Sequence, residues 1–127
     1  MTDLHGECLC GAVAYQVPDR FAYALNCHCS QCRRATGAAF KPFAGIPLAD
    51  LRITRGAHKL TSWGDDQGQD RRCGTCGSLL WSVVRDGAWA HVTMGTLMDT
   101  LDPPDGAYLH RLEGALARDH RRPAAVP

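Results

Sequence analysis

The sequence lacks any apolar run near the roughly 18 residues that a membrane-crossing helix needs. No helical membrane span is expected. It also lacks a charge surplus, with 14 lysines and arginines against 13 aspartates and glutamates and a formal net charge of +1. Without a basic face, neither nucleic acid nor an anionic membrane is expected as a partner. Its beginning, MTDLHGECLC, has no basic start and no apolar run, so a secretory leader is not expected and a reducing cytoplasm is. Aromatic residues are few, at 7%. Finally, the chain has seven cysteines and no eighth. In a reducing compartment such thiols are metal ligands or catalytic groups more often than disulfides.

What is present fits one domain over residues 1–127, since 45% hydrophobic and 21% charged residues are ordinary for a globular chain. The core of so short a chain is modest, and metal cross-links would add to its stability. Gly11 to Val17 alternates around Val13, Tyr15 and Val17 as a strand would, and Phe21 to Cys27 is strand-like. Ser30 to Ala35 suits one helical turn closed by Gly37. Ala38 to Phe43 and Leu51 to Thr54 are short strands with Gly45 and Pro47 between them. Ser78 to Val84 and Ala88 to Met94 read as a hairpin around Arg85-Asp86-Gly87. Ala107 to Arg118 has a weak helical rhythm, and residues 118–127 read as a disordered tail. Many short strands and little helix predict an all-β or β-dominated domain.

The cysteines fall into three groups: Cys8 and Cys10; Cys27, Cys29 and Cys32; Cys73 and Cys76. In an extended segment residues i and i+2 point the same way, so Cys8 and Cys10 can present two thiolates to one metal. CGTCG, from Cys73 to Gly77, has the shape of a zinc knuckle. Together these pairs predict a closed, structural four-thiolate site. Cys27, Cys29 and Cys32 then remain as three ligands with a fourth position open, the usual pattern of a catalytic zinc. A zinc ion with three thiolates carries a net charge near −1 and acidifies water weakly. It can still hold an incoming thiol as thiolate, which points to carbon–sulfur chemistry.

Two alternatives stand beside this. A histidine (His5, His58 or His91, with His28 pointing away) could close the second site as another structural one. Cys27 and Cys29 could instead pair with Cys8 and Cys10. Among lesser candidates, Arg33 and Arg34 could bind a carboxylate, and Asp65 or Asp66 could serve as a base near the metal. Trp63, Trp81 and Trp89 could line a pocket, though Trp81 and Trp89, facing across the hairpin, read better as core.

The stretches ECLCGAVAYQ (Glu7 to Gln16), NCHCSQCRRATGAAF (Asn26 to Phe40) and RRCGTCGSLLW (Arg71 to Trp81) resemble, in order and spacing, the glutathione-dependent formaldehyde-activating enzymes, or CENP-V/GFA domain. The resemblance runs from about Gly6 to about Gly95, and all seven of the family's cysteines have counterparts. It implies antiparallel sheets of the Mss-four-like zinc-binding type. By similarity Cys8, Cys10, Cys73 and Cys76 hold a structural zinc, and Cys27, Cys29 and Cys32 hold a second, more exposed and more labile zinc at the active site. The implied activity is a carbon–sulfur lyase joining glutathione, or a similar thiol, to formaldehyde or another small aldehyde. A homodimer is left open. The chain departs from the family pattern at Arg72, where an aromatic is usual, and at AYLHRLEGALARDH, which lacks the usual final strand and Pro-Trp pair. A non-catalytic zinc-binding module is the alternative function.

Overall fold

The structure is a computed structural model, and it describes residues 3–99. Besides three single-turn 3-10 helices, nine strands and one α-helix make up the regular elements of these residues: β1 (Asp3–Glu7), β2 (Ala14–Pro18), β3 (Tyr23–Cys27), α1 (Ser30–Thr36), β4 (Lys41–Pro47), β5 (Arg52–Arg55), β6 (Leu60–Gly64), β7 (Gln69–Cys73), β8 (Leu79–Val84) and β9 (Trp89–Thr93). The expected β-dominated, antiparallel architecture is what the chain adopts. A small sheet has the order β1-β2-β5, and a larger one β3-β4-β9-β8-β7-β6. Every pairing is antiparallel. The helical reading of 107–118 and the tail at 118–127 lie outside the described residues.

The core forms where the two sheets face each other. Tyr15 of the small sheet meets Trp81 of the large one edge to face, with ring centroids 5.3 Å apart, a favoured aromatic geometry. Around them Leu4, Val13, Val17, Ala44, Ile46, Ala90 and Val92 are buried. The Tyr15 hydroxyl stays satisfied by Thr96 Oγ1 at 2.6 Å. Gly6 sits opposite Tyr15 in the β1–β2 ladder. A Cβ there would come within 2.0 Å of the Tyr15 ring, so glycine is what lets the ring lie down.

Cross-strand partners share a face, so Phe43, Gly45, His91, Ser82 and Asp70 lie together on the side of the large sheet away from the core. Lys41, two residues before Phe43, shares that face and stands opposite Cys27. This second face positions the candidate site.

Several expectations need correcting. Cys8 and Cys10 do not lie in an extended strand. β1 ends at Glu7, and the chain turns at once, with Gly11 N–H donating to the Cys8 carbonyl and Gly11 at φ +80°. The strand expected from Gly11 therefore begins at Ala14. The strand expected at Ala38 begins at Lys41 and runs through Gly45. A Cβ at Gly45 would lie 2.3 Å from the Tyr23 ring, so this glycine clears a neighbour and does not break the strand. The hairpin is present, but Trp81 pairs with Val92 and Trp89 with Val84. Trp81 is core, whereas Trp89 is only part-buried and stacks on Tyr23 at 5.8 Å beneath Arg85. No helix among the described residues is long and apolar enough to cross a membrane.

Candidate metal centres and active site

The first cluster is built by two turns about sixty residues apart in sequence. The Cys8–Val13 turn presents Cys8 and Cys10. The Cys73–Gly77 knuckle, closed by Gly77 N–H to Cys73 O at 2.8 Å with Gly77 at φ +83°, presents Cys73 and Cys76. All four sulfurs lie within 4.8 Å of one another. The Cys8–Cys10 and Cys10–Cys73 separations are 3.7 and 3.8 Å. Four sulfurs at about 2.3 Å from a tetrahedral zinc would be about 3.8 Å apart, so the donor set fits that metal.

Local donors favour the thiolate at Cys73 and Cys76, whereas at Cys10 the Ala12 backbone acts to lower the thiol but burial and the Cys8, Cys76 and Cys73 thiols push it up to about 11. Val13 N–H reaches Cys8 Sγ at 3.2 Å, and Thr75 N–H reaches Cys73 Sγ at 3.4 Å. The Ser78 hydroxyl beside Cys76 Sγ, then the backbone N–H groups of Ser78 and Cys10, pull the Cys76 thiol down to about 5. Ser78 Oγ also accepts the Leu9 N–H at 2.9 Å, which ties the two turns together.

The second cluster sits where β3 runs into α1. Cys27 is the last residue of β3, Cys29 is the helix N-cap, and Cys32 lies in the first turn. Cys29 Sγ accepts the Cys32 N–H at 3.4 Å, taking the place a serine or aspartate oxygen usually fills. The helix ends as expected at Gly37, which is left-handed at φ 69°. The three sulfurs are mutually within 4.8 Å, and no described histidine, aspartate or glutamate completes the group. His91, weighed above as a fourth ligand, hydrogen-bonds through Nε2 to the Tyr23 hydroxyl at 2.7 Å and stacks on Phe43 at 4.0 Å. Burial raises the Cys32 thiol, and its neighbours Cys27 and Cys29 raise it further. Burial also acts to raise Cys29, but the Cys32 N–H and the adjacent thiols bring it down overall. Cys29 and Cys32 are thus shifted in opposite directions, and a dication bound by the three sulfurs would displace the protons they hold. The two clusters remain separate groups, with no exchange of Cys27 or Cys29 into the first.

Beside the second cluster lies a cavity of about 970 Å³, lined by Cys32, Lys41, Phe43, Asp70, Arg72, Ser82 and His91 among others. Lys41 is buried at 4% exposure. Its Nζ donates to Ser82 Oγ at 2.6 Å, and the Ser82 hydroxyl donates to Asp70 Oδ1 at 2.6 Å. Burial lowers the Lys41 ammonium, while Asp70 and then Cys32 and Cys27 hold it up. Burial, then the positive charges of Lys41 and Arg85, drop His91 to about 4, so its imidazole is neutral at pH 7.

Sequence reasoning missed Lys41, Ser82 and Asp70. The available signal was a lysine at an alternate position of an otherwise apolar strand. Of the cations it did weigh, Arg34 lines the cavity but folds back on Ser30, with Nη2 at 3.2 Å from the hydroxyl. Asp65 lines it too, yet its carboxylate is engaged by the Gln67 and Gly68 N–H groups in the β6–β7 turn. Trp63 stands at the rim, 80% exposed. Arg72, at the position where the family pattern has an aromatic, donates to the Gly77 carbonyl of the knuckle and to the Ala35 carbonyl of α1.

A β-sheet domain with two cysteine clusters, each able to hold a metal ion, defines the class of protein. The chain belongs to the glutathione-dependent formaldehyde-activating enzyme family, whose sequence profile matches residues 3–111, beyond the 6–95 read from motifs alone. It is 31% identical over 93 residues to a Halomonas elongata protein named "Putative glutathione-dependent formaldehyde-activating enzyme". That match covers 68% of this chain and 58% of the relative's length, so the chain spans little more than half of that protein. It is also similar to a protein of Rhodobacter sphaeroides solved by crystallography, at 30% identity and a TM-score of 0.64, covering 81% of this chain and 94% of that one.

Proposed function

We propose that this chain is a zinc-dependent carbon–sulfur lyase that joins a thiol such as glutathione reversibly to formaldehyde or another small aldehyde. The single observation that carries the reading is the opening of the three-cysteine cluster, through Cys32, onto a cavity that also presents a buried lysine. Cys8, Cys10, Cys73 and Cys76 take the role of a structural zinc site, saturated and closed to substrate. Cys27, Cys29 and Cys32 take the role of the catalytic site, three ligands with one position free. A zinc ion bound there would supply a place where the incoming thiol sits as thiolate at neutral pH. The chain's own part is positional. Capping by Cys29 and the β3–α1 junction hold the three sulfurs in register. The cavity brings the aldehyde to the sulfur, and this proximity supplies most of the rate effect. The reading places the protein in the reducing cytoplasm, where such thiolates persist.

The test is NMR exchange between formaldehyde and S-(hydroxymethyl)glutathione, with metal-loaded wild type beside Cys29→Ser. Faster exchange with wild type alone is the expected result. No acceleration by the wild type with glutathione or with other small thiols would refute the reading and favour a non-catalytic zinc-binding module.

A further inference from the structure

Among the described residues that line the cavity, one cation keeps donors unspent by the hydrogen bonds it makes. Arg34 is folded onto Ser30, and Arg72 spends its guanidinium on Ala35 and Gly77. Lys41 is different. Its Nζ has one described hydrogen bond, to Ser82, and a primary ammonium has three donors. It stands opposite Cys27 in the β3–β4 ladder and shares the cavity with Cys32. A lysine buried to 4% exposure is costly unless something compensates it. The Ser82–Asp70 relay provides fixed compensation, and it also fixes the direction of the Nζ.

We infer that Lys41 is a catalytic residue that donates a hydrogen bond to the aldehyde oxygen as negative charge develops there. The inference rests on the lyase reading above and deepens it. When the thiolate sulfur attacks the carbonyl carbon, a C–S bond forms and the C=O π pair moves onto oxygen. That oxygen ends as a hydroxyl, its proton equivalent to the one the thiol released to solvent on binding. Lys41 Nζ–H meets the charge in between, and a donor fixed in advance is worth most at that moment. Ser82 and Asp70 act through Lys41 as positioning residues.

The competing assignment is that Lys41 binds a carboxylate of the thiol substrate. Steady-state exchange of Lys41→Met separates the two, using glutathione and the carboxylate-free 2-mercaptoethanol, each with formaldehyde. Thiol binding is read independently from the absorption change of cobalt-loaded protein. The expected result is a kcat loss of about 100-fold, equal for both thiols, with thiol Kd unchanged. A loss confined to glutathione, appearing in Kd, would overturn the oxyanion role in favour of carboxylate binding. An active wild type matched by an equally active Lys41→Met would overturn the inference and leave the lyase reading intact. A wild type inactive with every thiol would remove the reading and the inference with it. If Lys41→Met fails to fold, Ser82→Ala keeps the charge and frees it from Asp70. A kcat loss of about 10-fold with unchanged thiol Kd is then expected, and wild-type kcat would refute the role.

Discussion

Replacing Cys10 by serine isolates what the proposed four-thiolate cross-link contributes to stability. Cys10 is exposed, so its side chain has almost no packing to lose, and an ordinary surface substitution there would be nearly silent. The cross-link joins Cys8 and Cys10 to Cys73 and Cys76, closing a loop of roughly 70 residues. By loop-closure entropy such a link is worth about 4 kcal/mol, a large part of the stability expected of a domain this size. With a urea slope of roughly 1–3 kcal/mol per molar, the midpoint of Cys10→Ser, which loses this metal, should fall by about 2 M below that of metal-loaded wild type. The assay is urea unfolding followed by circular dichroism, with bound metal counted alongside. Cys29→Ser is the control. Its cluster spans a short stretch already held by β3 and α1, so the shift should be about half as large or less. Equal shifts in the two variants, or an unmoved midpoint in Cys10→Ser, would refute the division into structural and catalytic sites.

Three further outcomes are expected. Gly6→Ala drives a Cβ to within 2.0 Å of the buried Tyr15 ring and should cost about 2 kcal/mol or more in thermal or chemical unfolding. His91 has a folded pKa near 4, below its ordinary value, so the unfolded chain binds the proton first. It therefore contributes stability above about pH 6.5 that is lost as pH falls towards 4, on the order of 1–2 kcal/mol after allowance for its partial exposure. The difference in urea midpoint between wild type and His91→Gln, measured across that window, reads this contribution. A chelator should strip the Cys27/Cys29/Cys32 metal first with the sheets intact, and the second metal only together with unfolding, as mass spectrometry and circular dichroism would record.

The fold was legible where apolar runs flank a turn signal. SLLWSVV and AWAHVTM are apolar-rich runs on either side of Asp-Gly and form β8 and β9, the centre of the large sheet. β6 and β7 were not legible, because LTSWG and QDRRC carry few apolar residues and are held mainly by ladder hydrogen bonds at the sheet's edge. The strand around Gly45 was shifted because a glycine looks like a break, whereas here it makes room for the Tyr23 ring. Spacing favoured grouping Cys8 and Cys10 with Cys73 and Cys76 but left open an exchange with Cys27 and Cys29, and it is the sulfur positions that bring the first four together. The cavity did not follow. Lys41, Ser82 and Asp70 come from three strands, and only sheet register brings them together.

Arg72 joins what the chain's two ends of chemistry would otherwise keep apart. One of its nitrogens holds the knuckle that carries Cys73 and Cys76, and another holds the helix that carries Cys32. Metal ions held by the two clusters would be coupled through that one guanidinium. Whatever filling the first does for the affinity of the second, filling the second does in equal measure for the first. Arg72→Met would cut that link, so that the affinity of one cluster for metal no longer depends on whether the other is filled.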